Sequence, residues 1–199
     1  MSTWLSTEWS TPEYQAAKKL NFELLDAELT NPPTSILDIG CGLAWESRMF
    51  GDKYGTELWL LDGDTASNTN KPESASEINY HVSSDEFLFY HPLSWLQEQL
   101  DANETKNYNL IDVNNISIPK DKKFDVITSW LSCGFHFPAS AYKDLILQHS
   151  HENTRIFLDI RVNKKTKEIF YNDNSIEILK ILSKYDKHSK HINAEIRFV

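Results

Sequence analysis

Apolar and polar positions alternate between two periods along the chain. Ser10-Thr-Pro-Glu13 has the spacing of a helix start, with Pro12 in the first turn, where its missing N–H does no harm. Tyr14, Ala17, Leu24 and Leu25 then share one face at helical spacing, and Asn31-Pro-Pro33 stops and turns the chain. A strand is predicted over 35–39, a glycine turn over 40–42 and a helix from about Ala44 to Lys53. Residues 57–61 are almost wholly apolar, as expected of a strand covered on both faces, and run into Asp62-Gly-Asp64.

Residues 65–82 are rich in Ser, Asn, Thr and Glu without periodicity and read as an exposed loop. A helix is predicted over about 93–100, a third strand over 108–113, a charged turn at Asp121–Lys123 and a fourth strand over 124–130. An aromatic loop, 131–138, leads into a helix over 139–148. A fifth strand over 155–160, a helix over 175–184 and a closing strand over 194–199 complete the reading. Strands alternating with helices predict an α/β fold, a doubly wound and mainly parallel sheet with helices on both faces. Right-handed crossovers place the turns after the strands along one sheet edge, where ligands of such folds bind.

A chain of 199 residues suits one domain. The division expected is a helical extension over 1–33, in the position of a lid, and a ligand-binding domain over 34–199. No apolar run reaches the roughly 20 residues that cross a bilayer, and the first ten residues lack the basic and apolar regions of a signal peptide. Cys41 and Cys133 match no zinc or redox spacing and read as free thiols. A cytoplasmic protein without a membrane partner is expected, and no metal.

The net charge of −9 is unevenly spread. Residues 1–112 hold 6 Lys/Arg against 19 Asp/Glu, and residues 113–199 hold 14 against 10. The acidity of the whole weighs against sequence-independent nucleic-acid binding, which relies on neutralising phosphates.

The chemistry centres on Ile36-Leu-Asp-Ile-Gly-Cys-Gly-Leu-Ala44, an apolar strand running through Gly-x-Gly into a helix. Glycines let such a turn approach a ligand closely. The dinucleotide fingerprint needs a third glycine where Trp45 stands, and a pyrophosphate would not favour Asp38 beside the turn. A carboxylate there suits a ligand carrying an ammonium group. The block resembles motif I of the class I, Rossmann-like S-adenosylmethionine (SAM) dependent methyltransferases, with Ala44 in place of the last glycine. That resemblance implies SAM as cofactor, with Asp38, Gly40, Cys41 and Gly42 lining its site.

Two further blocks are similar to the same family. Asp62 ends the second strand 20 residues after Gly42, where an acidic residue meets the ribose hydroxyls; Gly63 and Asp64 adjoin it, and Asp64 is the alternative. Leu110-Ile-Asp-Val-Asn114, then Ile118-Pro119 and Phe124-Asp-Val-Ile-Thr-Ser129, match the third and fourth strands. The resemblance implies that Asp112 and Val113 meet the adenine, with Ser129 also on the cofactor side. It spans residues 34–162.

For the methyl acceptor the loop 129–138 is the candidate region. His136 is the candidate general base, because an imidazole titrating near 6.5 takes a proton near neutral pH. Trp130, Phe135 and Phe137 would wall the acceptor site, with Tyr142 and Arg161 as further contacts. Two tempting patterns fall away. Asn31-Pro-Pro-Thr34 precedes the first strand and lacks the aromatic of amino-group DNA methyltransferases, and Cys133 lacks the proline of a cytosine-methylating nucleophile. The expected activity is methyl transfer to a small molecule, preferably at a sugar-like or other hydroxyl oxygen. Modification of nucleic acid or protein, and SAM binding without transfer, are the alternatives.

Overall fold

The computed structural model describes residues 11–63, 93–163, 166, 168, 169, 174–183 and 191–199. In chain order the elements are α1 (Pro12–Glu28), β1 (Ser35–Ile39), α2 (Trp45–Tyr54), β2 (Glu57–Asp62), α3 (Leu93–Ala102), β3 (Tyr108–Asp112), β4 (Val126–Ser129), α4 (Lys143–Gln148), β5 (Arg155–Arg161), β6 (Ile176–Ile181) and β7 (His191–Phe198). Short 3-10 turns occupy Val113–Asn115 and Ala139–Tyr142.

Among the described residues seven strands form one sheet, in the order β3-β2-β1-β4-β5-β7-β6. Strands β1 to β5 pair in parallel, whereas β7 pairs antiparallel with both β5 and β6. Each parallel strand therefore ends at the same edge, and the chain order reverses between β1 and β4, opening a crevice there.

Strand alternation sends successive side chains to opposite layers. Leu37, Ile39, Ile127, Leu158 and Ile196 enter one core with Phe124 and Ile146. Ile36, Leu58, Leu60, Val126 and Phe157 enter the other, beneath Phe22 and Leu25 of α1, Phe50 of α2 and Leu96 of α3. Asp125 pins the start of β1 to β4: its Oδ2 accepts from the Thr34 amide and hydroxyl, both at 2.6 Å.

Three sequence expectations are corrected. Where a helix was expected over 175–184, the described residues form strand β6 over Ile176–Ile181. Its Ile176-Glu-Ile178 start alternates with period two, isoleucine favours strands, and pairing with β7 overrides the helical spacing. The Ala139–Gln148 helix is divided, with a 3-10 turn ahead of the α-helical part. On α1 the buried face is Lys18, Phe22 and Leu25, and Ala17 is exposed. Thr11 caps that helix, accepting from the Tyr14 amide at 3.2 Å. The expected loop at 65–82, Ser10 and Asp64 lie outside the described residues.

Candidate active site

The turn after β1 is built from strained backbone. Gly40 and Gly42 take φ of 67° and 54°, the left-handed region that favours glycine. Ala44, where the methyltransferase pattern has its last glycine, takes the same conformation at φ 51°. The Gly40 amide donates to Leu61 O at 2.7 Å and the Gly42 amide to Asp62 Oδ2 at 2.5 Å. The glycine turn thus folds back over the end of β2. The Gly63 amide donates to the second Asp62 oxygen at 2.7 Å.

Asp62 and Asp112 are register partners across β2 and β3, so the two carboxylates stand side by side at the sheet edge. Asp112 Oδ1 accepts from the Asn114 amide at 2.9 Å and so starts the 3-10 turn containing Val113. A narrow cleft of about 20 Å³ runs along this edge. It is lined by Gly40, Leu61, Asp62, Gly63 and Val113 and by Ser132, Phe137 and Tyr142 of the loop after β4. The Phe137 and Tyr142 rings meet edge to face at 6.5 Å. The Ser132 side chain fills the space above Gly40 and leaves no room there for a Cβ.

Asp38 lies beneath the turn and is 1% exposed. The Ser47 hydroxyl donates to its Oδ2 at 2.5 Å, and Oδ1 has no hydrogen-bond partner among the described residues. Burial pushes the Asp38 carboxyl up to about 7, against the Ser47 bond. Burial, and then the charges of Asp62 and Asp38, push the Cys41 thiol up as well.

The aromatic loop divides between two places. Phe137 faces the cleft, but Phe135 turns toward the ends of β5 and β7, with its ring 4.8 Å from His136 and 5.6 Å from His191. The Arg161 guanidinium lies over Phe135 at 5.1 Å. His136 is pushed down to about 4, by burial and then by Arg161. Trp130 packs in the core beneath α1 and α2. Ser129 is fully buried: its hydroxyl donates to Ile39 O at 2.6 Å and accepts from the Cys133 amide at 2.8 Å, tying the loop to β1. Of the expected residues, Gly40, Asp62, Gly63, Val113, Phe137 and Tyr142 meet in one cleft. Trp130, Phe135, His136 and Arg161 are not among its walls.

Sequence reasoning missed a polar group beside this site. Lys18 Nζ pairs with Glu46 Oε1 at 2.8 Å, both nearly buried, and Asn21 donates to the same oxygen at 3.0 Å. Asp159, fully buried on β5, accepts from the Leu131 amide at 3.0 Å and from the Asn193 amide group. A carboxylate within the apolar run Ile156-Phe-Leu-Asp-Ile160 was the available signal, because charge enters such a strand only with partners.

The residues at the turn fit SAM. A buried carboxylate oxygen without a partner suits its ammonium, and a Cβ added at Gly42 would meet nothing within 4 Å, so the open side of the turn admits a ligand. No helix among the described residues is long and apolar enough to cross a membrane.

No family model matches the sequence, and no curated protein matches it. Solved structures do resemble the fold. A ribosomal protein methylase from Lactobacillus delbrueckii subsp. bulgaricus is 15% identical, with a TM-score of 0.54, over 95% of this chain and 80% of that one. A methyltransferase from Pyrococcus furiosus is 14% identical, with a TM-score of 0.57, over 91% and 82%. A mutant of MtNAS in complex with S-adenosylmethionine is 12% identical, with a TM-score of 0.58, over 99% and 67%. The chain has the Rossmann-like methyltransferase fold.

Proposed function

We propose that the protein is a SAM-dependent methyltransferase acting on a small-molecule acceptor. The observation that carries this reading is the adjacency of the glycine turn, Asp62 and Asp112 at the ends of β1, β2 and β3. In this reading Asp38 receives the ammonium of the cofactor, Asp62 its ribose, and Asp112 with Val113 its adenine. SAM, when bound, supplies a methyl group activated by its sulfonium sulfur. The likeness to methyltransferases of solved structure supports the reading.

The chain's own part is positioning and exclusion of water. Methyl transfer needs the acceptor atom in line behind the methyl group, so much of the acceleration comes from orientation. Phe137 and Tyr142 line the same cleft as Gly40. A histidine held near 4 is neutral at physiological pH but a weak proton acceptor, and His136 packs edge to face on Phe135 away from the cleft's lining, so it is less suited to activating a hydroxyl than its position in the sequence suggests.

Calorimetric titration with SAM and with its demethylated product tests the proposal, on wild type and on Asp62→Ala. Binding of both ligands, abolished in the variant, is expected. A folded wild type that binds neither ligand overturns it.

A further inference from the structure

Beneath α1, one face of the sheet carries polar groups where an apolar core would be expected. Asp38 and Thr128 are register partners on β1 and β4, and Thr128 in turn pairs with Phe157 on β5. Two residues farther along the same face stand Trp130 and Asp159, joined through the bond from the Leu131 amide to Asp159. Thr128 is 1% exposed and Trp130 6%. The Thr128 hydroxyl and the Trp130 indole N–H have no hydrogen-bond partner among the described residues. Buried polar atoms of this kind are costly unless something satisfies them.

The charges around this seam do not balance. Lys18 and Glu46 neutralise each other, and Asp38 belongs to the proposed cofactor site. Asp159 is then left with amide donors and with His191 Nε2 at 3.9 Å. Burial pushes the Asp159 carboxyl up to about 7, while Lys18 draws it down and Glu46 adds to the rise. Burial also holds His191 below its ordinary value, with Lys18 acting in the same direction.

We propose that this seam, between α1 and the sheet, binds a small protonated amine that carries a neighbouring hydroxyl. Asp159 receives the ammonium, the Trp130 indole N–H donates to the ligand's oxygen, and the Thr128 hydroxyl bonds to either group. One proton can pass from the ammonium nitrogen to Asp159, which leaves a neutral carboxyl and a free lone pair on nitrogen. Entry requires α1 to move off α2, which breaks the Lys18–Glu46 pair together with the Asp26 bonds to Lys53 and Tyr54 and the Phe22–Phe50 ring contact. Because Asp38 separates the seam from the glycine turn, the amine would lie beside the methionine end of the cofactor. As an acceptor site the seam rests on the methyltransferase reading, and as a binding site it rests on the residues just named.

The test follows the Trp130 indole resonance by 15N–1H NMR, assigned with Trp130→Phe, during titration with ethanolamine, ethylammonium and ethylene glycol. A saturable shift with ethanolamine, a weaker one with ethylammonium and none with the glycol are expected. Asp159→Asn should weaken ethanolamine binding by about tenfold or more, as loss of a charge-assisted bond requires. Thr128→Val, which keeps the shape of the side chain, should weaken it several-fold without unfolding the protein. No saturable shift with ethanolamine, an equal response to ethylene glycol, or unchanged binding in Thr128→Val overturns the proposal. SAM is titrated into the same sample and read at the Gly42 and Gly63 amides. A SAM response without an ethanolamine response removes the seam and leaves the proposed function standing. Ethanolamine binding without a SAM response does the reverse.

Discussion

The Gly42 amide donates a 2.5 Å hydrogen bond to Asp62 Oδ2, and this bond closes the glycine turn onto the end of β2. Asp62 therefore shapes the turn as well as edging the cleft. Gly42→Ala separates the two roles. Alanine at φ 54° costs about 1 kcal/mol of stability, since the left-handed region crowds its Cβ, yet that Cβ would strike no protein atom. A modest fall in Tm with a large loss of SAM affinity is expected. Equal SAM affinity in the variant would show that the open side of the turn faces no ligand.

Stability should fall with rising pH because of the buried carboxylates. The folded Asp159 carboxyl titrates near 7, above its ordinary 3.8, and Asp38 behaves in the same way. Between those values the native protein holds more protons than the unfolded chain, so raising pH through the window favours unfolding. Below about 4 both states are protonated and above about 7 both are ionised, and the slope vanishes at each end. His136, held near 4, and His191, held below its ordinary value, act with the opposite sign up to about pH 6.5, so the Asp159 contribution is read as a difference between two proteins. From pH 5 to pH 7 the denaturant midpoint of wild type should fall relative to that of Asp159→Asn. An identical slope in the variant would place the Asp159 titration elsewhere.

The glycine turn and the carboxylates beside it were legible in the sequence because they are local. Gly40, Gly42, Asp62 and Asp112 each stand at the end of an apolar run, and chain order alone sets their edge of the sheet. The strands β1 to β5 were legible for the same reason. Strand β6 was not, because Ile176, Leu179 and Lys180 fit a helix as well as a strand, and only pairing with β7 decides between them. The aromatic loop looked like one wall. Its division follows from Gly134, whose φ of 90° turns Phe135 toward β5 and Phe137 toward the cleft. Lys18 and Glu46 meet across 28 positions of chain, a distance that no periodicity reports.

Gly134→Ala should be among the most damaging single-methyl changes. Its Cβ would lie 2.8 Å from the Asp159 carbonyl and 2.9 Å from Ile160 Cδ1, and β5 backbone cannot yield cheaply. Strain at positive φ adds to the collision. A loss of about 3 kcal/mol by urea denaturation is expected, with the Phe137 and Tyr142 side of the cleft displaced. A variant as stable as wild type would mean that the loop does not rest on β5 in solution.

Arg155 fastens α1 to the sheet. Its Nε and Nη2 donate to the two oxygens of Glu195 on β7, at 2.8 and 2.7 Å, and Nη1 donates to the carbonyl of Glu28 at the end of α1. The planar fork serves two elements at once, and its face lies over Phe157 at 4.9 Å. Arg155→Lys keeps the charge but has a single ammonium, which cannot reproduce the bidentate pair and reach Glu28 as well. The expected cost is about 1–2 kcal/mol, reduced only in part by salt because the pair is half-buried. Hydrogen exchange should then quicken in the last turn of α1 more than in β5. Equal acceleration in both would show that Arg155 supports the sheet generally, and would remove its role as the fastening of α1.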